Sequence, residues 1–472
     1  MVSIWSIIVL LIGVMNANRL PWVEPVPGAR TAPLRPIVSI DEFGPDSPYR
    51  LLLSAGDLPE TYDAVAVSDW THRLREIPWP KMPPDPFGQG GLWDARTSAQ
   101  VRRALDAVEP NLRLARRVAI MPGARVPSHV DPSAPLDEAP QRVRDLRRAL
   151  TLSAYRKEGG GDYAGAFGEL LTIIRLSNML TRGGTTIHQS TAQVTTSIAL
   201  IEIWRIAARN RIPSPLLRKV SRELLEVGRQ ADSPAEAIRN VLPHTLAWSD
   251  MHWDPKFVAK AWQMGTGQAT SYCLKRLGFT YLAGGTPAGT RRNIVAFSGQ
   301  LASWAAAPYR PETAKRLAWL KGQSNRKAYA AAWIRFRDPG GFEFAVSQAV
   351  LFPAVVQGHA ERTALLRGTT LFLAVKAYEN DTGRPPARLA DLVPRYLEAV
   401  PKDPFDGKPF RYVTGKVPKL WGDVTWGTYS IASDFRDDGG KATAVGSVYH
   451  RPPVSPKHRK NPDIVWIPKP FP

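Results

Sequence analysis

The chain has 472 residues, 44% of them hydrophobic and 22% charged, long enough for two or three domains with cores of their own, which excludes a minimal scaffold. Lys and Arg outnumber Asp and Glu by 62 to 42, and the net charge of +20 favours anionic neighbours such as lipid headgroups, cell-wall polymers or nucleic acid. No Lys/Arg run exceeds two residues outside Lys457-His458-Arg459-Lys460, which argues against a nucleic-acid partner, and the lone Cys273 excludes an internal disulfide or a cysteine zinc cage.

Residues 2–15 are apolar apart from Ser3 and Ser6, with Trp5 and Trp22 placed where interfacial aromatics flank a short span. A helix crossing the hydrocarbon core needs about 17 to 25 residues, so residues 1–22 read either as a membrane anchor or as an export signal. Pro21, Pro25, Pro27, Pro33, Pro36, Pro45 and Pro48 exclude a helix or a central strand and predict an extended stalk. With further proline-rich stretches at 78–91 and 122–140, residues 23–140 form a proline-rich, irregular region.

Residues 141–358 turn helical. Asp162 follows three glycines as an N-cap, Tyr163, Phe167, Leu170, Leu171 and Ile174 recur at helical spacing, and Gly183-Gly184 stops the run. Ser214 with Pro215 opens a helix carrying Leu216, Leu217, Val220, Leu224 and Val227 on one side, with Gly228 as its stop. With helices over 141–156 and 185–209, four helices joined by short loops predict antiparallel packing, as a bundle or as stacked hairpins. Further helices are expected near 255–282, 313–335 and 342–356.

Residues 359–472 predict a small α+β domain. A helix over 359–380 presents Leu365, Phe372 and Val375 beside Ala364, Leu371, Ala374 and Tyr378, a face broad enough to pack on a sheet, and Gly383 with Pro385-Pro386 ends it. A short helix over 387–392 and strands at Tyr412-Val413, Tyr429-Ser430-Ile431 and 463–467 follow. In Asp403-Pro404-Phe405-Asp406-Gly407 the proline fixes its own φ and the acids bond nearby amides, which makes a structural corner. Ser433, Asp434, Asp437, Asp438 and the distant Asp463 are oxygen donors of the kind a hard cation takes, with Gly439-Gly440 letting the loop fold back; alternatively Arg436 neutralises the acids without a metal.

The order of these features over residues 361–468 resembles the C-terminal globular part of the major pseudopilin of type II secretion. The resemblance implies a pseudopilin-like α+β tail on the mainly α chain that the periodicity predicts, and a calcium ion held near Asp434, Asp437, Asp438 and Asp463. Residues 16–360 stand between the apolar start and this tail, unlike a conventional fibre subunit. The whole layout is similar to that of uncharacterised bacterial envelope proteins. It implies a membrane-anchored envelope protein on the periplasmic side, with a protein partner and a role in secretion or envelope assembly rather than catalysis.

The alternative is a hydrolase with its site in the helical middle. His244, Asp250, His252 and Asp254 are the one cluster of imidazoles with carboxylates, of a type zinc accepts, although Trp248 and Trp253 between them also suit packing. His188, with Ser190 nearby, is a second, weaker pairing. The sequence has no Gly-x-Ser-x-Gly elbow, phosphate-binding loop, dinucleotide fingerprint or His-Glu-x-x-His helix.

Overall fold

The computed structural model describes residues 40–59, 62, 95–127, 137–253, 287–323, 339–440 and 463–468. The apolar run 2–15, stalk residues 20–39, the stretch 78–91, Cys273, the helix expected near 255–282 and the basic run 457–460 lie outside the described residues. The protein is mainly helical, with a small three-stranded antiparallel sheet near the C-terminal end. Among the described residues no helix is long and apolar enough to cross a membrane.

Two helices stand in the region predicted to be irregular: α1 (Pro48–Gly56), opened by Pro48 in the first turn, where proline lacks no needed donor, packs on α2 (Ala95–Ala119) and on α3 (Ala139–Gly159). The chain then folds back through α4 (Tyr163–Thr181) and α5 (Thr186–Arg209), with α3 against α4 and α4 against α5. Short connections between extensively packed neighbours give the antiparallel hairpins that the periodicity predicts. Phe167, Leu171 and Ile174 are buried, as are Leu217 and Leu224 on α6 (Ser214–Arg229). Asp162 caps α4 as expected, its Oδ1 accepting the Gly165 N–H at 2.8 Å. Ser214 does not cap α6: it is already helical, Pro213 takes the cap position, and the serine hydroxyl donates to the Ala377 carbonyl at 3.2 Å. A tertiary contact has claimed the side chain that local spacing assigned to the cap.

Past α5 the run of sequential pairs is interrupted. Helix α6 leans on α4, and α10 (Pro339–Thr382) packs along both α5 and α6. Helices α7 (Pro234–Trp253), α8 (Pro287–Ala306) and α9 (Pro311–Gln323) also reach α10. The sequence predicts separate helices near 342–356 and 359–380, whereas the structure has one 44-residue helix with Pro353 inside it. Proline removes one backbone donor, and packing on both flanks holds the helix through that loss. The helix therefore crosses residues 358 and 359 without interruption.

Residues 368–375 of α10 are all buried, more than two full turns, so this segment is enclosed on every side and not on one face alone. The sheet supplies the remaining cover. Strand β1 (Arg411–Thr414) pairs antiparallel with β2 (Trp426–Ser430), which pairs antiparallel with β3 (Ile464–Trp466), and β2 and β3 pack on α10. Phe372 packs between Trp204 of α5 at 6.4 Å and Trp426 of β2 at 5.4 Å, joining the helices to the sheet through one aromatic stack. The indole N–H groups find acceptors: Trp426 donates to Glu379 at 3.1 Å and Trp466 to Thr369 at 3.2 Å.

Close approach depends on glycine at one place in particular, since a Cβ on Gly368 would come within 2.3 Å of the buried Trp466 ring. Alanine normally stabilises a helix interior relative to glycine by about 0.5 to 1 kcal/mol. Gly168 on α4 is exposed, with open space around its Cβ position, so Gly168→Ala should raise stability by that amount. Gly368→Ala should instead lower it by about 1 to 3 kcal/mol as Trp466 is displaced. Urea melts of the two variants read the difference, and a gain for Gly368→Ala would show that sheet and helix are not in contact there.

Candidate functional site

The C-terminal carboxylates are organised around a side chain that the sequence reading passed over. Arg411, at the start of β1, donates from Nη2 to Asp406 Oδ2 at 2.6 Å, from Nε to Asp437 Oδ2 at 3.1 Å and from Nη1 to Asp403 Oδ2 at 3.3 Å. The antiparallel register places Tyr429 opposite Arg411, and the Tyr429 hydroxyl donates to Asp437 Oδ1 at 3.0 Å. Arg411 thus neutralises the corner acids and Asp437, whereas Arg436 gives its backbone N–H to Asp434 Oδ1 at 3.0 Å and its charge opposes the rise in that acid's pKa. A guanidinium presents a rigid fork of donors, which is why one residue can hold three acids.

Asp403 makes the corner structural, as the sequence predicts. Fully buried, it accepts the Phe405 N–H at 3.0 Å and, across the chain, the Ile431 N–H at 3.1 Å just past β2. Burial raises its pKa although these bonds pull the other way. Beyond β2 the chain turns through Phe435 in the left-handed region, with φ 62°. That conformation is held by aromatic packing, with Phe435 stacked on Tyr309 at 5.6 Å and edge-on to Phe405 at 6.3 Å.

The four candidate metal ligands are committed unequally. Asp437 has both oxygens engaged, by Arg411, by Tyr429 and by the Gly439 N–H at 3.1 Å, and although burial opposes it these bonds hold its pKa low. Burial raises the pKa of Asp434, and the charge of Asp438 adds to the effect. Asp463 is only 3% exposed; its Oδ2 accepts the Gly440 N–H at 2.8 Å, while the buried Oδ1 has no hydrogen-bond partner among the described residues. Burial, reinforced by Asp437 and Asp438, pushes Asp463 up to about 6. Among the described residues no three His, Cys, Asp or Glu side chains are grouped as a metal would require. Of the four acids, Arg411 bonds to Asp437.

His244 and Asp250 lie on α7, Asp250 is exposed and pairs with Arg291 of α8, and Asp254 is outside the described residues, as is any account of the His252 side chain. His188 does meet a carboxylate, Asp137, with Nε2 at 2.8 Å from Oδ2, both side chains buried. The geometry is that of a structural tie. Its Nδ1 is occupied by Thr185, whose N–H donates to it at 3.2 Å, Asp137 Oδ1 accepts the Tyr49 hydroxyl at 2.9 Å, and Ser190 is exposed. Burial alone would raise Asp137, but the His188 contact overrides it and lowers the pKa.

Two further charge clusters were invisible in the sequence. Glu169, 1% exposed on α4, accepts from Arg116 at 2.6 Å, Lys157 at 2.7 Å and Ser153 at 2.8 Å. Arg205 on α5 pairs with Glu158 and Glu202 and lies 4.6 Å from the Tyr155 ring centroid. Each joins residues from separate helices, so no local spacing announces it. Compared with protein-family models, with curated proteins and with solved structures, the chain matches none of them.

The Asp463 carboxylate yields a pH prediction. Its folded pKa lies above the unfolded value, so the native state holds the proton more tightly and stability falls as pH rises from about 4 through about 6. Asp463→Asn should flatten that slope and raise stability at pH 7.5 by about 1 to 3 kcal/mol, read by denaturant melts in chelator. Melts of the parent protein with millimolar calcium should coincide with those in chelator. A midpoint raised by calcium and lost in Asp463→Asn would restore the metal.

Proposed function

We propose that the protein is a non-enzymatic, membrane-tethered protein of the bacterial cell envelope, exposed on the periplasmic side. In this reading its helical part binds a protein partner, and its C-terminal helix and sheet are a pseudopilin-like module used in secretion or envelope assembly. The observation that supports it is the continuity of α10, which runs from the helical hairpins into the layer beneath the sheet, so that a load or partner on one part is felt by the other. The order of helix, Gly383 turn, Asp403 corner and antiparallel strands keeps the sequence order that carries the resemblance. His188, Asp403 and Asp437 have their partners inside the fold, which suits a scaffold better than a hydrolase.

The tether rests on the apolar residues 2–15. Full-length protein should sediment with membranes and resist extraction by high salt, while deletion of residues 1–20 should release it. A mature N-terminus near residue 18 would mark export with cleavage. Recovery of the full-length protein in the cytosolic fraction would overturn the reading.

A further inference from the structure

On the side of α6 away from α4, a groove of about 710 Å³ opens between that helix and residues 394–398. Its volume is within the range of ligand-binding clefts. Arg218, Arg222 and Arg229 line it from α6 and Arg395 from the facing turn, against two acids, Glu226 and Glu398. Arg218 and Arg395 flank the buried Tyr396 ring, at 5.8 and 5.5 Å from its centroid, and Tyr396 is held in turn by its hydroxyl bond to Asp381 at 2.9 Å. Arg229 meets Glu398 at 3.3 Å with both side chains mostly exposed, a pair worth little in water. Arg222 is exposed and makes no hydrogen bond or ion pair among the described residues.

The spacing along α6 selects the occupant. At about 1.5 Å per residue, Arg218 and Arg222 are about 6 Å apart along the axis and Arg218 and Arg229 about 16 Å apart. An extended chain rises about 3.3 Å per residue and repeats its facing side chains every second residue, about 6.6 Å. Carboxylates at alternate positions of an extended segment therefore match Arg218 and Arg222, and a third, about 13 Å along, lies about 3 Å short of Arg229, a gap that the long arginine side chain spans; guanidiniums favour such planar, bidentate acceptors. A second copy of this chain is disfavoured by its net charge of +20.

We propose that the groove between α6 and residues 394–398 binds an extended acidic segment of a partner protein through Arg218, Arg222 and Arg229. This rests on the reading of the helical part as partner-binding, and names the chemistry of the partner. The test uses the full-length, detergent-solubilised protein and a fluorescein-labelled peptide, Glu-Ser-Glu-Ser-Glu-Ser, followed by fluorescence polarisation. Saturable binding is expected, weakened about tenfold or more by Arg222→Glu and by raised salt. Arg103→Glu makes the same change in net charge at an exposed position on α2 and should leave the affinity within about twofold. Equal losses in the two variants would show attraction to net charge only and overturn the groove. So would absence of peptide binding, Arg222-dependent binding to anionic phospholipid vesicles without peptide binding, or full displacement by millimolar inorganic phosphate. Membrane sedimentation does not depend on Arg222, so failure of the groove and failure of the tether are told apart.

Discussion

The structure depends on the enclosure of α10. Its residues 368–375 are buried on every side, so neither the helical hairpins nor the sheet can be completed without it. A helix this apolar is not stable alone in water, and most of its stability comes from the surfaces that α5, α6, β2 and β3 lay against it. Phe372 sits where these surfaces meet, touching the indole rings of both Trp204 and Trp426. Polar bonds fix the helix in rotation and depth without adding bulk. Ser221 donates to the Thr370 carbonyl, Asn380 to Ile212, Gln193 to Val355, and Arg362 to Asn178.

Arg362 shows what this enclosure costs. It is 3% exposed, its one hydrogen bond goes to a neutral amide, and burial lowers its pKa to about 10. Elsewhere the fold has arranged compensation. Glu169 has three donors, Arg205 has two carboxylates, and Arg411 gathers three acids from the corner and the loop. Removing one member of such a set leaves its partner charged and buried, so each set penalises any packing that separates its helices or strands.

The same arrangement bears on function. Groups that sequence chemistry puts forward as sites, such as His188, Asp403 and Asp437, are held by bonds within the fold. On α6, Arg222 and Arg229 face solvent and with Arg218 form an ordered row beside an aromatic ring. Recognition by surface charge, with chemistry confined to holding the fold, is a consistent account of both.

The sequence by itself determined many of the elements and local turns, although α1 and α2 stand where the proline content predicts irregular chain. Helical periodicity identified Phe167, Leu171, Ile174, Leu217 and Leu224 as buried, Asp162 as a cap, Gly383 as a stop, and Asp403-Pro404 as a corner, because each is set by spacing or by bonds within a few residues. The strands near Tyr412, Tyr429 and residue 464 were legible for the same reason. Only the tertiary structure decided that α10 fills the slot between α5 and α6, that Pro353 lies within a continuous helix, and that Arg411 ties Asp437 of the loop to the corner acids. The groove also escaped the sequence, since its two walls are about 170 residues apart in the chain and no spacing rule joins them. These outcomes depend on which surfaces meet, and burial is non-directional: it requires that apolar faces be covered and leaves to packing and paired charge the choice of what covers them.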